Sequence, residues 1–265
     1  MTIIKREYRK HLLIPDAHSR PNEDLRRFDW LGELILQEMP DVIIDIGDWY
    51  DMESLCSYDK GTKSFEGRRY KDDIAAGHEA EKRSFGRIVD YNNTMTRNKK
   101  KHYSPLILRC RGNHEQRIHK AIERQPELDG VISLSDTFCS LSLDFDVADF
   151  LVTRIIDGVA YCHYFVSGIL GRPLSSAHLM LQKHFMSCTC GHSHLKDWAG
   201  GVRIDGVRMQ ALVCGSFHDP DHRSSYSDVQ SEGLWWDGLH IKNNVFEGDY
   251  DRTEISIQRL MEMME

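Results

Sequence analysis

Three apolar runs, "KHLLIP", "DVIIDIGD" and "SPLILRCRGN", each stop abruptly at a polar loop, which is the pattern of a buried strand. Between the first two, "NEDLRRFDWLGELILQEM" spaces Leu25, Phe28, Trp30, Leu31, Leu34, Ile35 and Met39 as one face of a helix opened by Asn22. The order strand, helix, strand predicts a βαβ unit with a right-handed crossover, and ligands of such sheets gather beyond the carboxyl ends of the strands. The polar loops of this chain sit at those ends.

From about Trp49 to Lys101 the strand pattern lapses, and "SYDKGTKSFEGRRYKDD" is charged, aromatic and punctuated by glycine. A long, partly helical insertion or cap over the site, near residues 49–101, is the simplest account. Its basic residues Lys60, Lys63, Arg68, Arg69 and Lys71 form either a solvated face or contacts to a polyanionic substrate. Beyond the helix-like "HEQRIHKAIERQ", strand patterns return in "FLVTRIIDG", "VAYCHYF" and "MSCTCGHSH", with "HLMLQKHF" as a helix before the last. The C-terminal third is rich in β-branched residues split by D-G, N-N and E-G-D turns, and predicts hairpins completing a second sheet. The expected fold class is α/β, with two sheets and flanking helices in a single domain over residues 1–265.

Composition changes this picture little: 40% hydrophobic and 28% charged residues are ordinary globular values. No apolar run is long enough for a spanning helix. "MTIIKREYRKHLLIPDAHSR" lacks the sustained apolar core and cleavage site of a signal peptide, so a cytoplasmic location is expected. The seven cysteines are odd in number and mostly sit in apolar segments, as reduced core residues do. Cys188 and Cys190 lie in a C-x-C of strand-like alternation, not the C-x₂₋₄-C spacing of a structural zinc knuckle. The net charge of −7 is unevenly spread: residues 96–124 carry nine Lys/Arg against two Glu, so part of the surface of an acidic protein is basic.

The loop tips supply the candidate chemistry. In chain order they are Asp16 and His18 in "DAH", Asp48 in "GD", Asn113, His114 and Glu115 in "GNHE", His163, and His192 and His194 in "GHSH". Each has an ordinary alternative: Asp16 capping a turn, Asp48 a helix, Asn113 the N-cap of "HEQRIHKAI", His163 a satisfied core histidine. Together they offer carboxylate and amide oxygens and imidazole nitrogens, enough for two divalent ions without any thiolate. Arg109, Arg111 and Arg117 flank the third block, where a guanidinium fork could pair with phosphate. His11, His78, His102, His119, His178, His184, His218, His222 and His240 fall outside these blocks and are expected to be surface or core residues.

This ordered set resembles the calcineurin-like metallophosphoesterase superfamily, whose blocks run D-x-H, G-D, G-N-H-[DE], H and G-H-x-H. The resemblance covers roughly residues 11 to 195. It implies a two-sheet α/β sandwich with Asp16, His18, Asp48 and His194 on one metal, Asp48 bridging, and Asn113, His163 and His192 completing the second. It also implies that His114 stands outside the metal ligands and assists the leaving group. The implied cofactors are two divalent ions, manganese first, with iron, zinc or nickel as alternatives. Such a pair, roughly 3.5–4 Å apart, activates water and clamps the phosphoryl group for in-line displacement.

The substrate class is less sharply drawn. "GDWYD" lacks the arginine-glycine continuation of the serine/threonine phosphatase branch, while the insertion and "IPDAHSRP" are similar to phage-type members that look like DNA-repair exonucleases. The expected activity is therefore that of a phosphodiesterase or nuclease acting on DNA or nucleotides, with Arg111, Arg117, Arg68 and Arg69 as substrate contacts. A nucleotide phosphomonoesterase, and a noncatalytic protein-binding scaffold on the same fold, are the alternatives.

Overall fold

A computed structural model describes residues 9–218 and 232–265. His222 lies outside the described residues, as do the first eight positions of the chain.

Two mixed sheets stack face to face. The first is built on parallel strands β1 (Arg9–Ile14), β2 (Val42–Asp45), β3 (Leu106–Cys110) and β4 (Phe145–Ala148). The second has the order β5-β6-β7-β9-β8, from β5 (Arg154–Ile156), β6 (Val159–Tyr161), β7 (Ser187–Cys190), β8 (Lys196–Val202) and β9 (Arg208–Cys214). Its central strands β6, β7 and β9 are parallel. The last hairpin, β10 (Gly238–Phe246) and β11 (Asp249–Ser256), departs from expectation. It pairs antiparallel with β1 and extends the first sheet, not the second, to the order β11-β10-β1-β2-β3-β4. Turn signals show a hairpin but not which sheet edge it joins, because that choice is made by long-range packing.

The strands alternate as two-sided buried strands must. Leu12, Ile14, Ile43 and Ile107 face a helical layer, while Leu13, Val42, Ile44 and Leu108 meet Val159, Tyr161, Leu212 and Cys214 between the sheets. Ala160, Cys188, Cys190, Ala211 and Val213 face the opposite way, onto α5 (Ala177–His184). The cysteines are all free, and six of the seven are buried.

The helical layer on the first sheet contains α1 (Arg26–Glu38), α2 (Tyr70–Ser84), α3 (Gly86–Arg97) and α6 (Ile257–Met264), with α4 (Gln116–Arg124) following β3. α1 ends where Pro40 forbids continuation, and Met39 takes the left-handed conformation with its N–H on Ile35 O. Ala80, Phe85 and Ile88 enter the same core as α1, so residues 70–97 are a structural layer of the domain. Of the segment expected to cap the site, only the loop around residues 53–69, with short 3-10 turns at Glu53–Leu55 and Lys63–Phe65, lies outside that layer. No helix among the described residues is long and apolar enough to cross a membrane.

One charge is buried between the sheets. Lys242 of β10 is fully enclosed, donates to Thr189 Oγ1 at 2.5 Å and lies over the rings of Tyr161 and Tyr250. Burial pulls its ammonium from 10.5 down to about 7. Between those two values the unfolded chain binds the proton and the folded chain does not, so this group makes stability rise with pH across the window, with the largest penalty below pH 7. Lys242→Met is expected to narrow the gap between urea midpoints measured at pH 6.5 and pH 9.5. An unchanged gap would mean that the lysine titrates normally.

Candidate metal centre

The loops that leave the carboxyl ends of β1, β2, β3, β6, β7 and β9 converge on one point, and backbone hydrogen bonds lace them together. His18 N donates to Asp48 O at 2.8 Å, Phe217 N to Asp16 O at 3.0 Å, Gly191 N to His163 O at 3.0 Å and Trp236 N to His194 O at 3.0 Å. Two glycines are required by close approach. A Cβ on Gly112 would stand 2.0 Å from Asp48 Oδ1, and one on Gly191 would stand 2.6 Å from Asp16 Oδ1. His18, Asp48, His192 and His194 all hold positive φ, between 44° and 70°. Left-handed backbone at non-glycine residues is costly, and at these four positions hydrogen bonds made by the backbone to neighbouring loops hold it in place.

Three overlapping groups place possible ligand atoms within 4.8 Å of one another: His18, His194 and His218; His18, Asp48 and His114; and Asp48, His163 and His192. Asp48 belongs to two of them. Its Oδ2 lies 3.3 Å from His163 Nε2 and 3.9 Å from both His18 Nε2 and His114 Nε2. Asn113 Oδ1 is 2.9 Å from His163 Nε2. His18 Nε2 and His194 Nε2 face each other at 3.2 Å, close to the roughly 3.3 Å separating two nitrogens bound at about 2.0 Å to one tetrahedral ion. Asp16 Oδ2 accepts from His192 N at 2.5 Å, but its Oδ1 is buried without a hydrogen-bond partner. A native interior rarely leaves a carboxylate oxygen orphaned, and a cation is the partner that this donor set fits.

The electrostatics favour ligation at Asp48 and at His18, His192 and His194, and work against it at His163 and Asp16, whose protonated forms are favoured. Burial works against the Asp48 carboxylate, but His163, His114 and His18 outweigh it and hold the group well below the usual range. Burial and Asp48 push Asp16 upward. His163 would be lowered by burial, yet Asp48 and Asp16 raise it to about 9. Burial and neighbouring imidazoles push His18, His194 and His218 down, and His192 to about 4. Neutral imidazole is the form that binds metal.

No family model matches the chain, and no curated protein matches it. The site must therefore be read from its own residues.

All seven expected ligand positions, Asp16, His18, Asp48, Asn113, His163, His192 and His194, are gathered here, with His114 beside them. Glu115 serves the architecture of the loops. Its carboxylate accepts from the backbone of Gly112, Asp48 and Tyr50, tying the second loop to the third. Two neighbours were not expected. His218, read from sequence as an ordinary histidine, packs with its ring 4.9 Å from His18 and 4.7 Å from His194. Its signal was present, since "ALVCGSFH" is one more apolar strand ending in glycine and histidine. Asp51, three residues beyond Asp48, has Oδ1 at 3.1 Å from His18 Nδ1 and 2.8 Å from His114 Nδ1.

A cavity of about 410 Å³ opens on this cluster, lined by Asp48, Asn113, His114, Arg117, His192 and His194 together with Tyr58, Asp59 and Trp235. Arg117 lines it and reaches His114 Nε2 at 3.1 Å. The other expected substrate contacts do not line it. Arg111 is paired with Asp149, Arg68 is turned onto Asp59 at 2.6 Å and toward Glu53, and Arg69 donates to Arg68 O. Carboxylates of the insertion itself satisfy Arg68, a competition that charge counting along the sequence does not reveal.

Proposed function

We propose that this chain is a dinuclear metal-dependent phosphoester hydrolase of the calcineurin-like kind, acting on phosphodiesters of DNA or nucleotides. The observation that carries the reading is Asp48. It is a buried carboxylate shared by two ligand groups and held at positive φ, and a cavity opens onto it. Asp16, His18, Asp48 and His194 would hold one ion, and Asp48, Asn113, His163 and His192 the other. Manganese, iron, zinc or nickel suits such oxygen and imidazole donors. Bound there, the two ions would supply Lewis-acid polarisation of the phosphoryl group and a water activated at neutral pH.

The remaining work falls to the chain. His114 Nδ1 lies 2.7 Å from Asp51 O and 2.8 Å from Asp51 Oδ1, which fixes the ring and leaves Nε2 facing the cavity. Arg117 donates to Nε2 at 3.1 Å, so Nε2 is the accepting nitrogen in this arrangement; once the guanidinium turns to the phosphoryl group, Nε2 can take up a proton and pass it to the departing oxygen. Arg117, anchored by Asp51 O at 2.8 Å, presents its guanidinium beside that nitrogen, where it can neutralise a phosphoryl oxygen. Asp51 thus positions both groups.

Turnover of bis-p-nitrophenyl phosphate, a deoxynucleoside monophosphate and a labelled oligonucleotide, side by side with Mn²⁺, tests the reading. Diester cleavage is the expected result. Release of phosphate from the monophosphate alone would shift the assignment to a monoesterase, and no turnover with any substrate would remove the enzymatic reading. His218→Ala is expected to weaken Mn²⁺ binding by roughly 10- to 100-fold in a direct titration, the usual cost of removing a group that orients metal ligands. Unaltered affinity would assign His218 to packing alone.

A further inference from the structure

A second cavity, of about 250 Å³, adjoins the metal site and shares Tyr58, Asn113 and Arg117 with it. Its character is different. One wall is α4, which sets Arg117, Lys120, Ala121 and Arg124 at i, i+3, i+4 and i+7, a single helical face. The opposing loop adds Lys60, and the lining includes no carboxylate. Lys60, Lys120 and Arg124 make no ion pair among the described residues. Like charges on one helix face destabilise it unless an anion is shared between them. The floor is partly apolar, from Leu55, Ala121 and Leu128, and Tyr58 stands at the junction of the two cavities with 93% of its surface exposed.

Resting on the phosphodiesterase reading, we propose that this pocket is a subsite for the phosphate next to the scissile one, which makes the substrate a single-stranded oligonucleotide. Lys60, Lys120 and Arg124 take the flanking phosphate, while Tyr58 offers a face on which a base can stack. The aromatic wall and apolar floor favour a nucleic-acid strand over an inorganic polyphosphate, which has nothing to place against them. The polymer contact expected of Arg68 and Arg69 therefore belongs to α4 and to Lys60.

The test is fluorescence anisotropy of an end-labelled, phosphorothioate-linked dT8 with the full chain as purified, at several salt concentrations. Lys120→Glu/Arg124→Glu is expected to weaken binding at least tenfold and to flatten the salt dependence by about one unit of slope. The control is Lys99→Glu/Lys100→Glu, with the same change of charge. It lies before β3, at the amino end of the strands and away from the metal loops, and should cost less than threefold. Tyr58→Ala should weaken dT8 binding while leaving the affinity for tripolyphosphate, read by calorimetry, unaltered. Equal losses in both charge-reversed pairs, or no loss in the α4 pair, would overturn the subsite. Binding is read without turnover, so a chain that binds dT8 through α4 but cleaves nothing would count against the hydrolase and not against the subsite. An active hydrolase indifferent to the α4 pair would do the reverse.

Discussion

Asp48→Asn is expected to lower turnover by more than about 10³-fold and to strip the centre of at least one ion. The cause is charge: Asp48 is the carboxylate common to two of the ligand groups, and an amide cannot neutralise two cations at once. The loss of metal affinity should exceed the roughly 10- to 100-fold typical of an outer hydrogen-bond partner. The side chain also receives His114 N on Oδ1 at 2.8 Å, so the variant retains one oxygen acceptor and the loop can keep its course. Metal content by mass spectrometry, with kcat on bis-p-nitrophenyl phosphate, checks both parts. Full occupancy and full turnover would reject Asp48 as the shared ligand.

His114→Ala is expected to separate chemistry from metal binding. His114 lies within ligand distance of His18 and Asp48, yet its Nδ1 is engaged by Asp51 and its Nε2 by Arg117. On the proposed reading these contacts hold His114 for the substrate and not for an ion. Removing His114 should reduce kcat by about 10²- to 10⁴-fold, the range for general acid catalysis, while both ions stay bound. The loss should be largest for an alkoxide leaving group and smallest for p-nitrophenolate, which departs without a proton. A variant that loses metal, with no dependence on leaving group, would place His114 among the ligands. Asp51→Asn should reproduce the leaving-group dependence in milder form, since it weakens the support of the ring and not the ring itself.

The strand runs, α1 and the loop tips that carry Asp16, His18, Asp48, Asn113, His163, His192 and His194 were legible in the sequence, because each rests on a local pattern: an apolar run, a glycine turn, a polar tip; that the tips belong together came from the resemblance of the ordered set. What the sequence could not disclose depends on contacts between distant segments. The β10–β11 hairpin carries the same turn signals whichever sheet it joins, and its place beside β1 is set by packing. Arg68 reads as a free cation until the chain folds Asp59 and Glu53 against it. Lys120 and Arg124 read as part of a basic stretch, and only the approach of the loop carrying Lys60 and Tyr58 turns their helix face into a pocket. His218 escapes a motif reading because it stands alone, with no second histidine two residues away to draw attention, although the strand before it ends as the others do.

The most direct test of the central claim is calorimetric titration of the metal-stripped chain with Mn²⁺, followed by the same titration of Asp48→Asn. Two ions per wild-type chain, with the stoichiometry or affinity of the pair collapsing in the variant, is the predicted result. A chain that binds no ion, or one whose binding is indifferent to Asp48, would contradict the account.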